Sequence, residues 1–264
     1  MSFIDFWTIT IVFRFILTMW RAWENGYLIP HHNPYDLRWQ GVERRLRYNN
    51  GSGIKSSLEI ECLYKRPVRI AIVGHSFIRR ISDDLTKKYG SYHNFGMSFD
   101  VATVDIICQG GMKIFEARQK LLFDVMKTFP DIVYVELGSN DVCRKWMTPR
   151  EIGDDMVDLV EEILRLGALK AVVGETSYRY GKGIPKRMGD YNYRVNTLNR
   201  YLQVKLDEEV NPGCAFWRHK GIWNCKKQIY MPDGIHMNEL GNRRLYRSIR
   251  GALITGIWDI LDQI

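Results

Sequence analysis

The chain predicts an α/β protein built on a parallel sheet with helices over both faces. From Pro67 onward, short runs rich in β-branched residues alternate with stretches of helical period. The runs end on turns of Gly, Ser, Asn and Asp, after which a helical pattern begins. At 264 residues, 45% apolar and 12% aromatic, the chain has material for one sizeable core, which excludes wholesale disorder.

Three stretches follow one another. Residues 1–24 form an apolar segment, 25–67 an irregular extension, and 68–264 the regular domain. Phe3 to Trp23 is about the length of a membrane span, but Arg14 lies at its centre and Asp5 near its start. A mid-span arginine costs about 3 kcal/mol on insertion. No small-residue cleavage site follows, and the amino end lacks the positive charge of a secretory signal. Three readings stand: a helix packed on the main domain, a membrane-contacting anchor or interfacial helix, and an artefact of the gene's start. In the extension, Pro30-His31-His32-Asn33-Pro34 and Asn49-Asn50-Gly51-Ser52-Gly53 are connector signals.

In the regular domain the first strand is Val68 to Val73, ending at Gly74, and Ser76 to Tyr89 is a helix with Phe77, Ile81 and Leu85 on one face. Val101 to Cys108 is the second strand, closed by Gln109-Gly110-Gly111, with a helix from about Lys113 to Lys127. Ile132 to Leu137 is the third, ending at Gly138-Ser139-Asn140-Asp141, and a helix runs from Pro149 to Leu166. Leu169 to Val173 is the fourth strand, with a basic loop and a helix from Tyr191 to Leu206 after it. Cys214 to Trp217 is the fifth; Asp233-Gly234-Ile235-His236 and a last helix beyond Asn238 close the domain.

In such a sheet, ligands bind beyond the carboxyl ends of the strands. Ser76, the Gly110-Gly111 pair, Asn140 and the Asp233/His236 pair all fall at such ends. A serine, a histidine and an acid are the parts of an activated nucleophile: the imidazole takes the hydroxyl proton and the carboxylate fixes its tautomer. Each part also has a plainer reading. Ser76 suits a helix N-cap, the glycine pair a strand-to-helix turn, and Asn140 an Asx turn. Position 78 is Ile, so the G-x-S-x-G elbow of α/β-hydrolases is missing, and no G-x-x-x-x-G-K-[ST] phosphate loop occurs.

Taken together, four blocks in order resemble the SGNH (GDSL-type) hydrolases, over about Val68 to Ile254. Ile72-Val73-Gly74-His75-Ser76 looks like the nucleophile block, and Cys108-Gln109-Gly110-Gly111 is similar to the glycine block. Val135-Glu136-Leu137-Gly138-Ser139-Asn140-Asp141 is close to the G-x-N-D block, and Asp233-Gly234-Ile235-His236, with Gly241 following, to the D-x-x-H block. The resemblance implies a three-layer α/β/α flavodoxin-like domain, its five-stranded parallel sheet in the order 2-1-3-4-5. It implies a serine esterase with Ser76 as nucleophile, His236 as base and Asp233 orienting it. The oxyanion hole would be the Ser76 N–H, the Gly111 N–H (Gly110 in reserve) and the Asn140 side chain. No metal or organic cofactor is implied. The chain departs from the family at one point: His75 stands where aspartate is usual before the nucleophile.

The net charge of +8 favours anionic partners or substrates. The loop Tyr178 to Arg187, after strand four, carries Arg179, Lys182, Lys186 and Arg187 without an acid, as a solvated surface or as an electropositive substrate mouth. Arg243, Arg244, Arg247 and Arg250 recur at helical spacing and read as a solvated face. Five cysteines with no C-x-x-C spacing fit a reduced, intracellular setting and no zinc site; Cys214 and Cys225 suit pairing only under oxidising conditions. The expected substrate is a carboxylic ester of a small molecule, carbohydrate or lipid, or a thioester. The alternative is an SGNH-fold binding module with little turnover and affinity for nucleic acid, since such domains accompany some retrotransposon proteins.

Overall fold

The computed structural model describes residues 66–184, 190–209, 213–222 and 228–262. The apolar segment 1–24 and residues 25–65 of the extension therefore lie outside the described residues.

The five strands are β1 (Val68–Gly74), β2 (Ala102–Cys108), β3 (Ile132–Glu136), β4 (Lys170–Gly174) and β5 (Cys214–Trp217). All pairings are parallel, in the order β2-β1-β3-β4-β5, as expected. The inner strands are buried on both faces, so their sequences are continuous apolar runs rather than alternations. Period-two geometry nevertheless sorts their side chains. Ala71, Val73, Val133, Val135, Ala171 and Val173 enter one core; Ile70, Ile72, Ile132, Tyr134 and Val172 enter the other.

Helices α1 (Ser76–Tyr89) and α5 (Glu239–Asp262) cover the second core. The first lies under α2 (residues 114–127), α3 (Pro149–Arg165) and α4 (Tyr191–Val204). α3 begins with a full capping box: Thr148 accepts the Glu151 N–H, the Glu151 carboxylate accepts the Thr148 N–H, and Pro149 occupies the first turn. In α2, Ala117–Leu121 winds as a π turn, and α4 runs on into a π turn at Lys205–Glu209. Apolar periodicity does not register such a local widening. Among the described residues no helix is long and apolar enough to cross a membrane.

β2 is an edge strand, and Asn94 closes it. The Asn94 amide donates to the Ala102 and Met97 carbonyls, while its oxygen accepts the Val104 N–H. Side-chain pairing of this kind blunts an open edge.

Two register pairs align three of the four sequence blocks. Gly74 lies opposite Cys108 on one side and Glu136 on the other. The three chains therefore leave the sheet at one level, carrying 75–76, 109–111 and 137–141 with them. The fourth block is seated by Gly241, whose added Cβ would strike the Ile229 carbonyl and approach Met237 Cβ to 2.8 Å. Backbone gives way poorly, so Gly241→Ala should destabilise the domain by about 1–3 kcal/mol, measured by urea unfolding.

Candidate active site

Ser76 is the first residue of α1 and is partly exposed. It is not the N-cap, as its position had suggested; His75 is. The His75 Nδ1 accepts the Phe77 N–H at 3.4 Å, and the His75 carbonyl accepts the Arg79 N–H at 3.2 Å. With Nδ1 accepting, the neutral ring carries its proton on Nε2. That nitrogen lies 3.0 Å from Ser139 Oγ, so His75 ties the nucleophile block to the G-x-N-D block. The ring is buried, and burial foremost lowers its pKa from the ordinary 6.5 to about 4, against the pull of Glu136.

The Asp233–His236 loop is a compact acid–base unit. Asp233 Oδ1 accepts the Ile235 and His236 N–H groups, both at 2.9 Å, and Oδ2 lies 2.7 Å from His236 Nδ1. Burial pushes the Asp233 carboxyl up, but those hydrogen bonds outweigh it and hold the pKa at about 2. Ionised Asp233 keeps the proton on His236 Nδ1 and leaves Nε2 as an acceptor. The Tyr230–Met237 bridge closes the loop, and the Gly234 carbonyl accepts the Tyr180 N–H at 2.8 Å. The His236 ring sits edge-on to Phe77, centroids 6.5 Å apart. Phe77 directly follows Ser76, so the imidazole stands beside the first turn of α1.

Asn140 and Gly111 share this rim. Asn140 Nδ2 donates to the Met112 carbonyl at 3.0 Å, and Oδ1 accepts from Arg179 Nη2 at 3.2 Å. A flipped amide would set oxygen against oxygen and N–H against N–H, so this orientation is enforced. One Nδ2 hydrogen remains for a ligand. Gly111 has φ +74°, and its N–H makes no hydrogen bond among the described residues. The glycine turn and Asn140 are further pinned by Asp141, whose carboxylate accepts the Ile114 N–H at 3.2 and 3.3 Å. Burial pushes Asp141 up to about 7, although the Ile114 N–H and Arg144 pull the other way.

Arg179 departs most from its expected place. It is 8% exposed and does not stand at a mouth. Its Nη2 also donates to the Ser139 carbonyl at 3.1 Å, its Nη1 contacts Cys143 Sγ at 3.0 Å, and its guanidinium lies 4.9 Å from the Tyr191 ring centre. Of the other three cations, Lys182 is exposed, while Lys186 and Arg187 lie outside the described residues. Sequence reasoning missed what Ser139, Asp141, Arg179 and Tyr191 do. The first two stood inside a recognised block, but the Arg179 contacts span about forty residues and leave no local signal.

Behind the rim lies a second histidine–acid pair that sequence did not flag. His219 Nε2 is 3.2 Å from Glu136 Oε2, which also accepts the Tyr134 hydroxyl at 2.6 Å. Burial raises the Glu136 pKa, but His219 and Tyr134 outweigh it and hold the carboxyl low. Both members are buried, and they brace β3 against the chain leaving β5.

No protein-family model matches the chain, and no curated protein sequence does. Solved structures do. A Bacteroides fragilis protein assigned as an acylhydrolase aligns with TM-score 0.58 at 14% identity, over 86% of this chain and all of its own. A GDSL-like lipase from Bacteroides thetaiotaomicron gives 0.55 at 13%, over 82% of this chain and 98% of the lipase. A carbohydrate esterase family 3 protein from Talaromyces cellulolyticus gives 0.52 at 15%, over 73% and 99%. The chain has the fold of the SGNH-type hydrolases.

The buried neutral His75 makes stability depend on pH. Below 6.5 the unfolded chain binds a proton that the folded one refuses until about 4. Stability from this residue is complete above that window and falls as pH drops through it, by about 3 kcal/mol in all. Urea titrations should show the wild type losing this increment relative to His75→Asn; identical pH dependence in both would refute the assignment.

Proposed function

We propose that this protein is a serine hydrolase of carboxylic esters, with Ser76, His236 and Asp233 as its catalytic residues. The observation that carries the reading is the 2.7 Å Asp233–His236 pair held beside the first turn of the helix that Ser76 begins. The esterases and lipases that share the fold support it.

In this mechanism Ser76 Oγ attacks the ester carbonyl carbon while His236 Nε2 takes its proton. Asp233 steadies the imidazolium that forms. Negative charge developing on the carbonyl oxygen is met by the Ser76 N–H, unclaimed by the helix because it lies in the first turn, and by the Gly111 N–H and Asn140 Nδ2. The α1 dipole adds to this stabilisation. The intermediate expels the alcohol, which leaves with the proton from His236. Water, deprotonated by the same nitrogen, then cleaves the acyl-enzyme, releases the acid and restores Ser76.

Arg179 is a positioning residue in this scheme. It holds Asn140 Oδ1 so that Nδ2 faces the oxyanion, and its charge lies one side chain behind. His75 supplies the helix cap and the link to Ser139, and it takes no part in proton transfer.

A fluorophosphonate probe should label the wild type and not Ser76→Ala, and p-nitrophenyl acetate hydrolysis should fall by about 10⁴-fold or more in that variant. A folded wild type that neither labels nor hydrolyses would end the proposal. Asn140→Ala should lower kcat by about 10²–10³-fold with KM little changed. Arg179→Met should lower kcat in the same sense by about 10-fold or more. Arg179→Lys should recover part of the loss; a defect in KM alone would contradict the positioning role.

A further inference from the structure

A groove of about 830 Å³ opens between α1 and α5, lined also by Met231 and Met237, which flank the Asp233–His236 loop. Its floor is apolar: Ile81, Leu85 and Met237. Its walls carry Arg80, Lys87 and Lys88 from α1 and Arg243 and Arg247 from α5, against two acids, Asp84 and Glu239. Five cations less two acids leave a surplus of three positive charges. Glu239 is committed to Arg243 at 3.0 Å, and Asp84 accepts from Asn242 at 3.0 Å. Lys87 and Arg247 have no ion pair among the described residues. Arg244 and Arg250 are different: they donate to the Gly221 and Gly96 carbonyls, so of the arginine run of α5 only Arg247 makes neither an ion pair nor a hydrogen bond among the described residues.

Arg80 is the informative member. It stands four residues after Ser76, on the same face of α1 and one turn along. Its Nη1 lies 3.7 Å from Met231 Sδ, a weak acceptor, and its Nε is shielded from solvent with no partner. A shielded N–H without a partner is costly, and a guanidinium pairs most strongly with an oxyanion. Cations on both walls suit a dianion better than a single carboxylate.

We propose that this groove binds the phosphate group of a phosphorylated ester substrate, with Arg80 as the contact nearest the scissile bond. This rests on the ester-hydrolase reading and names its substrate class. The phosphate would lie between the two helices while the ester carbonyl reaches Ser76. The apolar floor accepts the carbon skeleton between them.

Two measurements separate the groove from the chemistry. The first is calorimetric binding of glycerol 1-phosphate to the full chain carrying Ser76→Ala, which needs no turnover. It should bind, and adding Arg80→Gln or Arg247→Gln should weaken it at least about 10-fold, or about 1.4 kcal/mol. Lys120→Gln, on the opposite layer, should change it little. No binding, or equal weakening by all three, would overturn the groove; if Arg80→Gln fails to fold, Arg247→Gln carries the test. The second is acetate release from acetylglycerol phosphate and from acetylglycerol. The kcat/KM ratio should favour the phosphate and collapse at least about 10-fold in Arg80→Gln. An unchanged ratio overturns the assignment. Binding intact in a protein that hydrolyses neither ester and escapes fluorophosphonate supports the groove and removes the hydrolase.

Discussion

The parallel register around β1 is the constraint on which the rest depends. Gly74 faces Cys108 and Glu136 at one level of the sheet, so three loops emerge side by side. A shift of one residue in either pairing would turn every side chain of a strand into the opposite core. The two cores, one of them carrying the row Ile70, Ile72, Ile132 and Tyr134, therefore hold the rim in place. The strand order reverses direction at β1, and that switch point is where α/β sheets open a crevice. Ser76 and Asn140 occupy its two sides.

Around the rim, polar groups bind the loops to one another more than to solvent. His75 reaches Ser139, Asn140 reaches Met112, Asp141 reaches Ile114, and Arg179 gathers Ser139, Asn140 and Cys143. Tyr191 adds a hydroxyl to the Ser139 carbonyl at 3.0 Å, and Arg194 holds the carbonyls of Val142, Arg144 and Met147. Buried polar networks of this kind are costly unless fully paired, and this one is nearly so. Such preorganisation is what an oxyanion site needs, because its dipoles must already be aimed. The aspartate-to-histidine change at position 75 fits the same network: a neutral imidazole caps the helix with one nitrogen and donates with the other, without placing an anion beside the serine.

Much of this was legible in the chain. The inner strand boundaries came within a residue or so because a strand buried on both faces writes itself as an unbroken apolar run between turn residues. Ser76–Tyr89 and Cys214–Trp217 were bounded as the structure has them. The four blocks were legible because each couples a turn to a polar residue locally. Asp233 and His236 met as a pair because three residues separate them, and a short loop brings such neighbours together by itself.

What the chain alone determined is the alternation of elements, the layering it forces, and which polar residues stand at each strand end, since these depend on spacing over a few residues. Tertiary structure decided the fate of the charges. Arg179 was one cation in a basic loop until folding buried it against Tyr191 and the Asn140 side-chain oxygen. Arg80 meets Met231 across 151 residues of chain, a contact that no local pattern in the sequence announces. A guanidinium at the end of a long stem takes its partner from across the fold, and local sequence does not encode which partner arrives.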